Sequence, residues 1–149
     1  PLGPEISGGR YAAMFVGGTL GSALGLITGL VGAGAVGVLS GCLDCGGSEV
    51  PFYVLGAAGS TLGTALVVTG AAEDPVSRGF WRTTLELARR PLFRPALLGA
   101  VAGIAAGGGL SLLVDSVAPS DQPYAMVAYN VGQAAASVAA VRIAVGARR

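Results

Sequence analysis

The sequence predicts an all-α membrane protein with four transmembrane helices in a single membrane domain. Charged residues make up only 11% of the chain, against about 25% in soluble globular proteins, and 26 of the 149 residues are glycine. Four stretches without any charge, none shorter than 20 residues, separate the charged positions. Because a bilayer-spanning helix needs roughly 20 mainly apolar residues, these stretches predict helices at about 11–38, 51–72, 95–115 and 123–145.

Two other fold classes fit the same sequence less well. A soluble protein with buried glycine-rich helices would have too few charged residues to cover its surface. A transmembrane β-barrel needs alternating apolar and polar residues, which the run 96–102 lacks, although residues 138–146 read as a strand. Both classes stay open as alternatives to the helical prediction.

The first predicted helix raises a problem of length. The uncharged run from Tyr11 to Leu43 would form a helix about 50 Å long, whereas the hydrocarbon core of a bilayer is about 30 Å thick. Either the helix is strongly tilted or it ends near Gly37. We expect the second, because Ser40-Gly41 ahead of Cys42 is typical of a turn.

Within this run, Gly32, Gly34 and Gly37 have the GxGxxG spacing of a dinucleotide-binding turn. Such a turn follows a strand, opens a helix and has an acidic residue about 20 positions further on. Here the glycines lie inside an uncharged helical run, and the residue 20 positions after Gly32 is Phe52. A nucleotide site is therefore not expected.

Other glycines recur every four residues, which places them on one face of each of the first three predicted helices. In a membrane this spacing predicts close backbone approach between helices. The packing glycines are Gly17, Gly21, Gly25 and Gly29 in the first helix, Gly59 and Gly63 in the second, and Gly99, Gly103 and Gly107 in the third.

The distribution of charge predicts how the protein is oriented. With four spans, all nine arginines lie on the side of the two termini, and four acidic residues lie on the other side: Asp44, Glu49, Asp115 and Asp121. The positive-inside rule then predicts the cytoplasmic membrane with both termini in the cytoplasm. The chain begins at Pro1 without a methionine, so removal of a signal peptide and an outer-membrane location are kept as an alternative.

Cys42 and Cys45 are the only cysteines and form a CxxC motif after the first helix. The predicted orientation places them on the non-cytoplasmic side, where an oxidising compartment favours a disulfide between them. Free thiols, a redox site or half of a zinc site remain alternatives.

The segment 77–90 between the second and third helices predicts a short interfacial helix. Trp81, Leu85, Ala88 and Leu92 have the spacing of one helical face, and Arg82 and Glu86 have that of an i, i+4 ion pair. We expect four arginines to meet anionic lipid headgroups, namely Arg78, Arg82, Arg89 and Arg90. A plain cytoplasmic loop is the alternative.

The fourth predicted helix carries polar residues at depth. Tyr129, Asn130 and Gln133 lie within its uncharged run, and polar groups inside a membrane mark either an interhelical hydrogen bond or a solute pathway. Asn130 and Gln133 are therefore candidates for a polar lining.

The composition excludes many chemistries. The chain has no histidine and no lysine, so it offers no imidazole ligand, no triad base and no Schiff-base amine. We expect no catalytic residue, cofactor or metal site, and hence no enzyme. The net charge of +1 gives no reason to expect nucleic acid binding.

The glycine spacing resembles that of glycine-zipper proteins of the bacterial envelope, mainly over residues 17–37, with similar stretches at 56–63 and 99–107. The resemblance is compositional and implies close helix packing and self-association. Length and helix count also resemble the proteolipid subunits of rotary ATPases, but no predicted span holds the carboxylate that family requires. We therefore expect a structural or assembly subunit in the lipid bilayer, as a homo-oligomer or as part of a larger membrane complex. The alternatives are a pore or small-solute carrier lined by small polar residues, and an outer-membrane envelope protein.

Overall fold

The described part of the chain folds into five α-helices. The computed structural model describes residues 6–39, 50–73, 80–117 and 122–147. The helices are α1 (Gly8–Leu39), α2 (Val50–Glu73), α3 (Phe80–Ala88), α4 (Phe93–Val117) and α5 (Gln122–Gly146). The prediction of an all-helical fold is confirmed, and the four long helices overlap the four predicted windows.

Three of these helices are long and apolar enough to cross a bilayer. The candidate spans are Gly8–Ala35, Tyr53–Glu73 and Phe93–Val117, with mean hydropathies of 1.7, 1.5 and 2.0. The length and composition of these helices indicate a membrane protein. Helix α5 is as long as α4, but it is not among these spans because polar residues such as Asn130, Gln133 and Arg142 lower its mean hydropathy.

Each long helix runs antiparallel to the next one along the chain. The start of α1 and the ends of α2 and α5 lie together at one end of the bundle. Arg10 at the start of α1 donates a hydrogen bond from Nη1 to the carbonyl oxygen of Ala72 near the end of α2 (3.2 Å). The guanidinium of Arg142, near the end of α5, lies 5.9 Å from the centre of the Tyr11 ring. We call this end of the bundle, where α1 begins and α2 and α5 end, the charged end.

The start of α4 is fixed at the same end by a carboxylate. The backbone N–H of Leu92 donates to Oε1 of Glu73, the last residue of α2, at 3.0 Å. A carboxylate at this position accepts a hydrogen bond from an N–H that the helix leaves free and also interacts favourably with the helix dipole. Arg90 forms an ion pair with Glu86, and its Nε lies 3.8 Å from Oε2 of Glu73.

Helices α1 and α2 touch backbone to backbone through their glycines. A Cβ atom added to Gly25 would lie 2.0 Å from the carbonyl oxygen of Gly59, and one added to Gly21 would lie 2.6 Å from that of Gly63. At Gly29 the obstacle is the carbonyl oxygen of Leu55, at 2.1 Å. Any side chain at these positions would force the two helices apart.

Helices α4 and α5 meet in the same way, but only α4 contributes a regular glycine spacing. A Cβ atom added to Gly107 would lie 2.3 Å from the carbonyl oxygen of Tyr129, and one added to Gly103 would lie 2.6 Å from Cα of Gln133. Gly99 faces the backbone of Ala136 in the same manner. The glycine faces predicted from sequence thus contact helices of the same chain.

Helix α3 differs in detail from the sequence interpretation. It ends at Ala88, so Leu92 lies beyond it and does not extend its apolar face. Leu85 is 61% exposed, whereas Leu87 is buried. The helix therefore packs on the bundle through Leu87 and leaves Leu85 on the outside.

Candidate polar site within the helix bundle

The inner face of α5 is polar over two turns. Asn130, Gln133 and Ser137 follow one another at i, i+3 and i+7, which places them on one side of the helix. Their exposed fractions are 4%, 0% and 0%. A polar stripe turned inward, in a helix whose neighbours are apolar, indicates an interior site and not a surface that faces water.

Polar side chains from α1 and α2 meet this stripe halfway along the bundle. Ser22 and Thr64 are fully buried, and Thr61 is 6% exposed. We call these three residues, together with Asn130 and Gln133, the polar centre. Oγ of Ser22 lies 2.5 Å from Oδ1 of Asn130 and 2.6 Å from Oε1 of Gln133.

The two side-chain amides direct their N–H groups away from Ser22. Nδ2 of Asn130 donates to the carbonyl oxygen of Met126 at 2.8 Å. Nε2 of Gln133 donates to the carbonyl oxygen of Ala100 at 3.1 Å and to Oγ1 of Thr61 at 3.2 Å. If the oxygen and nitrogen of the Gln133 amide were exchanged, the amide oxygen would face the carbonyl oxygen of Ala100, and the two would repel each other. The Gln133 oxygen therefore points toward Ser22, as the Asn130 oxygen does.

Beside Ser22, the two amide oxygens therefore compete for few hydroxyl hydrogens. A serine hydroxyl carries one hydrogen, so Ser22 donates to only one of the two amide oxygens at a time. The Thr64 hydroxyl donates to the backbone oxygen of Ser60 at 2.8 Å and lies 3.5 Å from Oε1 of Gln133. One amide oxygen is left with a poor donor in an environment where an unpaired polar atom is costly.

Further polar contacts extend the stripe on both sides of the polar centre. Toward the charged end, Ser137 donates to the carbonyl oxygen of Ala96 at 2.8 Å. Toward the opposite end, the hydroxyls of Ser60 and Tyr129 lie 3.5 Å apart. The line of buried polar groups thus follows α5 from residue 129 to residue 137.

An apolar cluster closes the bundle between the polar centre and the charged end. Met14, Val68, Ala96 and Val141 are completely buried there, and Leu92 is 8% exposed. In α1, Met14 lies two helical turns nearer the charged end than Ser22. Val68 lies one turn nearer that end than Thr64 in α2, and Val141 lies one turn nearer it than Ser137 in α5. A cluster of packed apolar side chains of this kind excludes water from this part of the bundle.

The polar centre is electrically neutral. Among the described residues, the nearest acidic residue along α2 is Glu73, which is about 14 Å from Thr64 at 1.5 Å per residue. In this part of the chain no group of three or more histidine, cysteine, aspartate or glutamate side chains is placed to hold a metal ion. The chemistry available here is hydrogen bonding by neutral groups.

The chain matches no known protein family. No curated protein and no solved structure is significantly similar to it either.

Of the residues singled out from sequence, Asn130 and Gln133 come together in one cluster, and the nine packing glycines lie between helices. Cys42, Cys45 and Arg78 lie outside the described residues, as does the side chain of Arg82. Arg89 is exposed, and Arg90 pairs with Glu86. The ion pair described for Glu86 is therefore with Arg90, which has the same i, i+4 spacing as the predicted pair with Arg82.

Sequence reasoning did not single out Ser22, Thr61 or Thr64 as individual site residues. Serine and threonine are common in membrane helices and commonly bond to their own backbone, as Thr69 does with the carbonyl oxygen of Ala65. The only signal available was position. Ser22 directly follows Gly21 and therefore lies beside the helix contact, turned into the bundle.

Proposed function

We propose that this protein is a carrier or pore for small polar solutes and that the polar centre is its solute site. The observation that carries the proposal is the convergence of Ser22, Asn130 and Gln133, buried and hydrogen-bonded, at mid-bundle. Buried polar groups are costly in a membrane and commonly mark a pathway. The rival explanation, a contact that only fixes the helix register, predicts no solute flux.

The use of the glycines supports this choice over an assembly role. Gly21, Gly25 and Gly29 face α2, and Gly103 and Gly107 face α5. The glycine faces from which self-association was expected are therefore occupied within the chain. Assembly would need another surface.

The proposal includes α5 as a fourth span, which its hydropathy alone does not indicate. Gly99, Gly103 and Gly107 contact α5 successively from Ala136 to Tyr129. Helix α5 thus runs antiparallel along a helix that is itself apolar enough to cross the membrane. Its polar side chains Asn130, Gln133 and Ser137 face the bundle, where lipid does not reach them.

The proposed orientation places the charged end in the cytoplasm. Arg10, Arg90 and Arg142 lie at this end through their described contacts, and Asp115 lies near the other end of α4. This distribution is the one expected of a protein in the cytoplasmic membrane. Helix α3 would then lie in the interface with Leu85 toward lipid and with Arg89 exposed to anionic headgroups.

The apolar cluster at the charged end requires a gating step. In the described conformation, Met14, Val68 and Val141 separate the polar centre from that end. A solute passes only when these side chains part, by a shift of α1 or α5. The conformation described here is accordingly the closed or occluded one in the proposed cycle.

The test is solute flux into proteoliposomes, measured by stopped-flow light scattering. We expect the protein to accelerate entry of at least one small polar solute over protein-free vesicles, and Gln133→Met to abolish the acceleration. Thr69→Val is the matched control, because Thr69 is equally buried but bonds only to its own helix. Equal fluxes in the wild type and in protein-free vesicles for every solute would refute the proposal.

A role as an assembly subunit is the second candidate, and the outer face of α4 favours it. Ala102, Ala105, Ala106 and Gly109 are exposed there, in the small-residue spacing by which membrane helices associate. Measuring the mass of the protein in mild detergent tests this candidate. Ala105→Leu should convert an oligomer to a monomer if α4 forms the contact, and a wild-type monomer would exclude self-assembly.

A further inference from the structure

We infer that the polar centre selects small neutral molecules that donate hydrogen bonds, such as water or urea, over acceptor-only molecules and over cations. This inference rests on the proposed transport function and specifies its substrate class. Three properties of the site carry it: the direction of its amide groups, the number of its hydrogens and the absence of charge from its described surroundings.

The first property is that the amide donors are already used elsewhere. The N–H groups of Asn130 and Gln133 bond to the backbone oxygens of Met126 and Ala100, and to Thr61. What these side chains present to Ser22 is therefore oxygen. An arriving molecule meets lone pairs, and only a molecule with N–H or O–H groups can bond to them.

The second property is the shortage of hydrogens around Ser22. Its single hydroxyl hydrogen lies between two amide oxygens, at O···O distances of 2.5 and 2.6 Å. A molecule with two donor groups that enters beside Ser22 supplies the missing hydrogen and leaves Ser22 bonded to the other oxygen. A molecule with acceptors alone adds a further oxygen beside two amide oxygens that already share one hydroxyl hydrogen.

The third property separates neutral donors from cations. Three or four neutral oxygens replace only part of the hydration shell of an ion, and a bare charge is costly in a low-dielectric interior. Among the described residues no carboxylate lies on the inner faces near the polar centre, where it would offset that cost. The site therefore suits a donor without net charge.

The size of the site limits the molecule as well. Glycine backbone borders it, since Cα of Gly103 is next to Gln133 and Gly18 packs on Ala134 and Val68. Because these contacts are close, we expect the polar centre to admit only a molecule of a few heavy atoms, and only when the helices part.

The experiment compares three solutes in the same proteoliposomes: urea as the donor, dimethyl sulfoxide as an acceptor-only molecule of similar size, and Na⁺ as the cation. Urea and dimethyl sulfoxide are followed by light scattering, and Na⁺ is followed with a fluorescent indicator inside the vesicles. We expect the protein to accelerate urea alone. Thr64→Val, which keeps the volume but removes one oxygen from the polar centre, should reduce the urea flux, and Gln133→Met should abolish it.

The outcomes separate the two proposals. Acceleration of dimethyl sulfoxide or Na⁺ as great as that of urea, lost in Gln133→Met, would overturn the substrate class and leave the transport function standing. No acceleration of any solute would overturn both. Thr69→Val is the control, because its hydroxyl is buried but bonds to Ala65 of its own helix outside the polar centre, and it should leave the urea flux unchanged. Circular dichroism and elution volume verify that each variant is folded.

Discussion

Gly25→Ala is the substitution whose effect on stability follows most directly from the structure. The added Cβ would lie 2.0 Å from the carbonyl oxygen of Gly59 and 2.6 Å from its carbon, where ordinary contacts begin at 3.4 Å. The two helices would have to separate locally by about 1.4 Å, the difference between 3.4 and 2.0 Å. Because the obstacle is backbone, no side-chain rotation relieves it.

The magnitude follows from a comparison with Gly34→Ala. An added Cβ at Gly34 meets nothing within 4 Å, and both glycines lie inside α1. The gain in helix propensity from glycine to alanine, about 0.8–1.0 kcal/mol, is therefore the same in both variants and cancels. The remaining difference in the free energy of unfolding is the cost of overpacking, about 1–3 kcal/mol. We expect the upper end of this range because relief requires two helices to separate and not one side chain to rotate.

Thermal unfolding in detergent, followed by circular dichroism at 222 nm, is the assay. Gly25→Ala should unfold at a temperature lower than Gly34→Ala by on the order of 10 °C, from about 3 °C per kcal/mol for a chain of this size. Gly59→Ala should behave like Gly25→Ala, since its Cβ would lie 2.1 Å from the carbonyl oxygen of Gly25. Equal unfolding temperatures for the Gly25 and Gly34 variants would refute the described contact between α1 and α2.

Three further predictions concern other contacts. Ser22→Ala removes the only close donor to two buried amide oxygens and should destabilise the protein by about 1–3 kcal/mol in the same assay; an unchanged unfolding temperature would contradict the bonds described. Glu73→Ala leaves the N–H of Leu92 without its carboxylate and should cost about 1 kcal/mol, as loss of a helix cap typically does, whereas Glu73→Gln should restore part of it. Mass spectrometry of unreduced peptides should find Cys42 and Cys45 two hydrogens short, and rapid labelling of both thiols on intact cells would show that no disulfide is present.

The positions of the long helices could be predicted from sequence because the signal is local. Charges are excluded from a bilayer whatever the helices pack against, so uncharged runs indicate the windows of α1, α2, α4 and α5 directly. The end of α3 could not be predicted in the same way. Helix ends depend on a few hydrogen bonds. The turn from Arg89 to Leu92 contains Pro91 and local backbone bonds, but Leu92 also bonds to Glu73, which lies far from it in sequence.

The packing faces could be predicted from sequence, but the helices that they contact could not. A repeat of four residues places Gly17, Gly21, Gly25 and Gly29 on one side of α1, and their lack of side chains implies that a backbone approaches there. The repeat does not name the partner, because any smooth helix satisfies it. The structure shows that the partner is α2 of the same chain, so the glycines hold the bundle together before any second chain is involved.

The sequence by itself indicated an all-helical membrane protein, predicted glycine faces that allow close packing, and singled out Asn130 and Gln133 within one uncharged run. These properties depend on composition and on the helical period, which are local. Only the tertiary structure decided that Ser22, Thr61 and Thr64 join these amides in one cluster, with the amide oxygens turned toward Ser22. The physical reason is that a hydrogen bond is specific to within a few tenths of an ångström and to one orientation. Such precision comes from the packing of three helices at once, and no single helix encodes it.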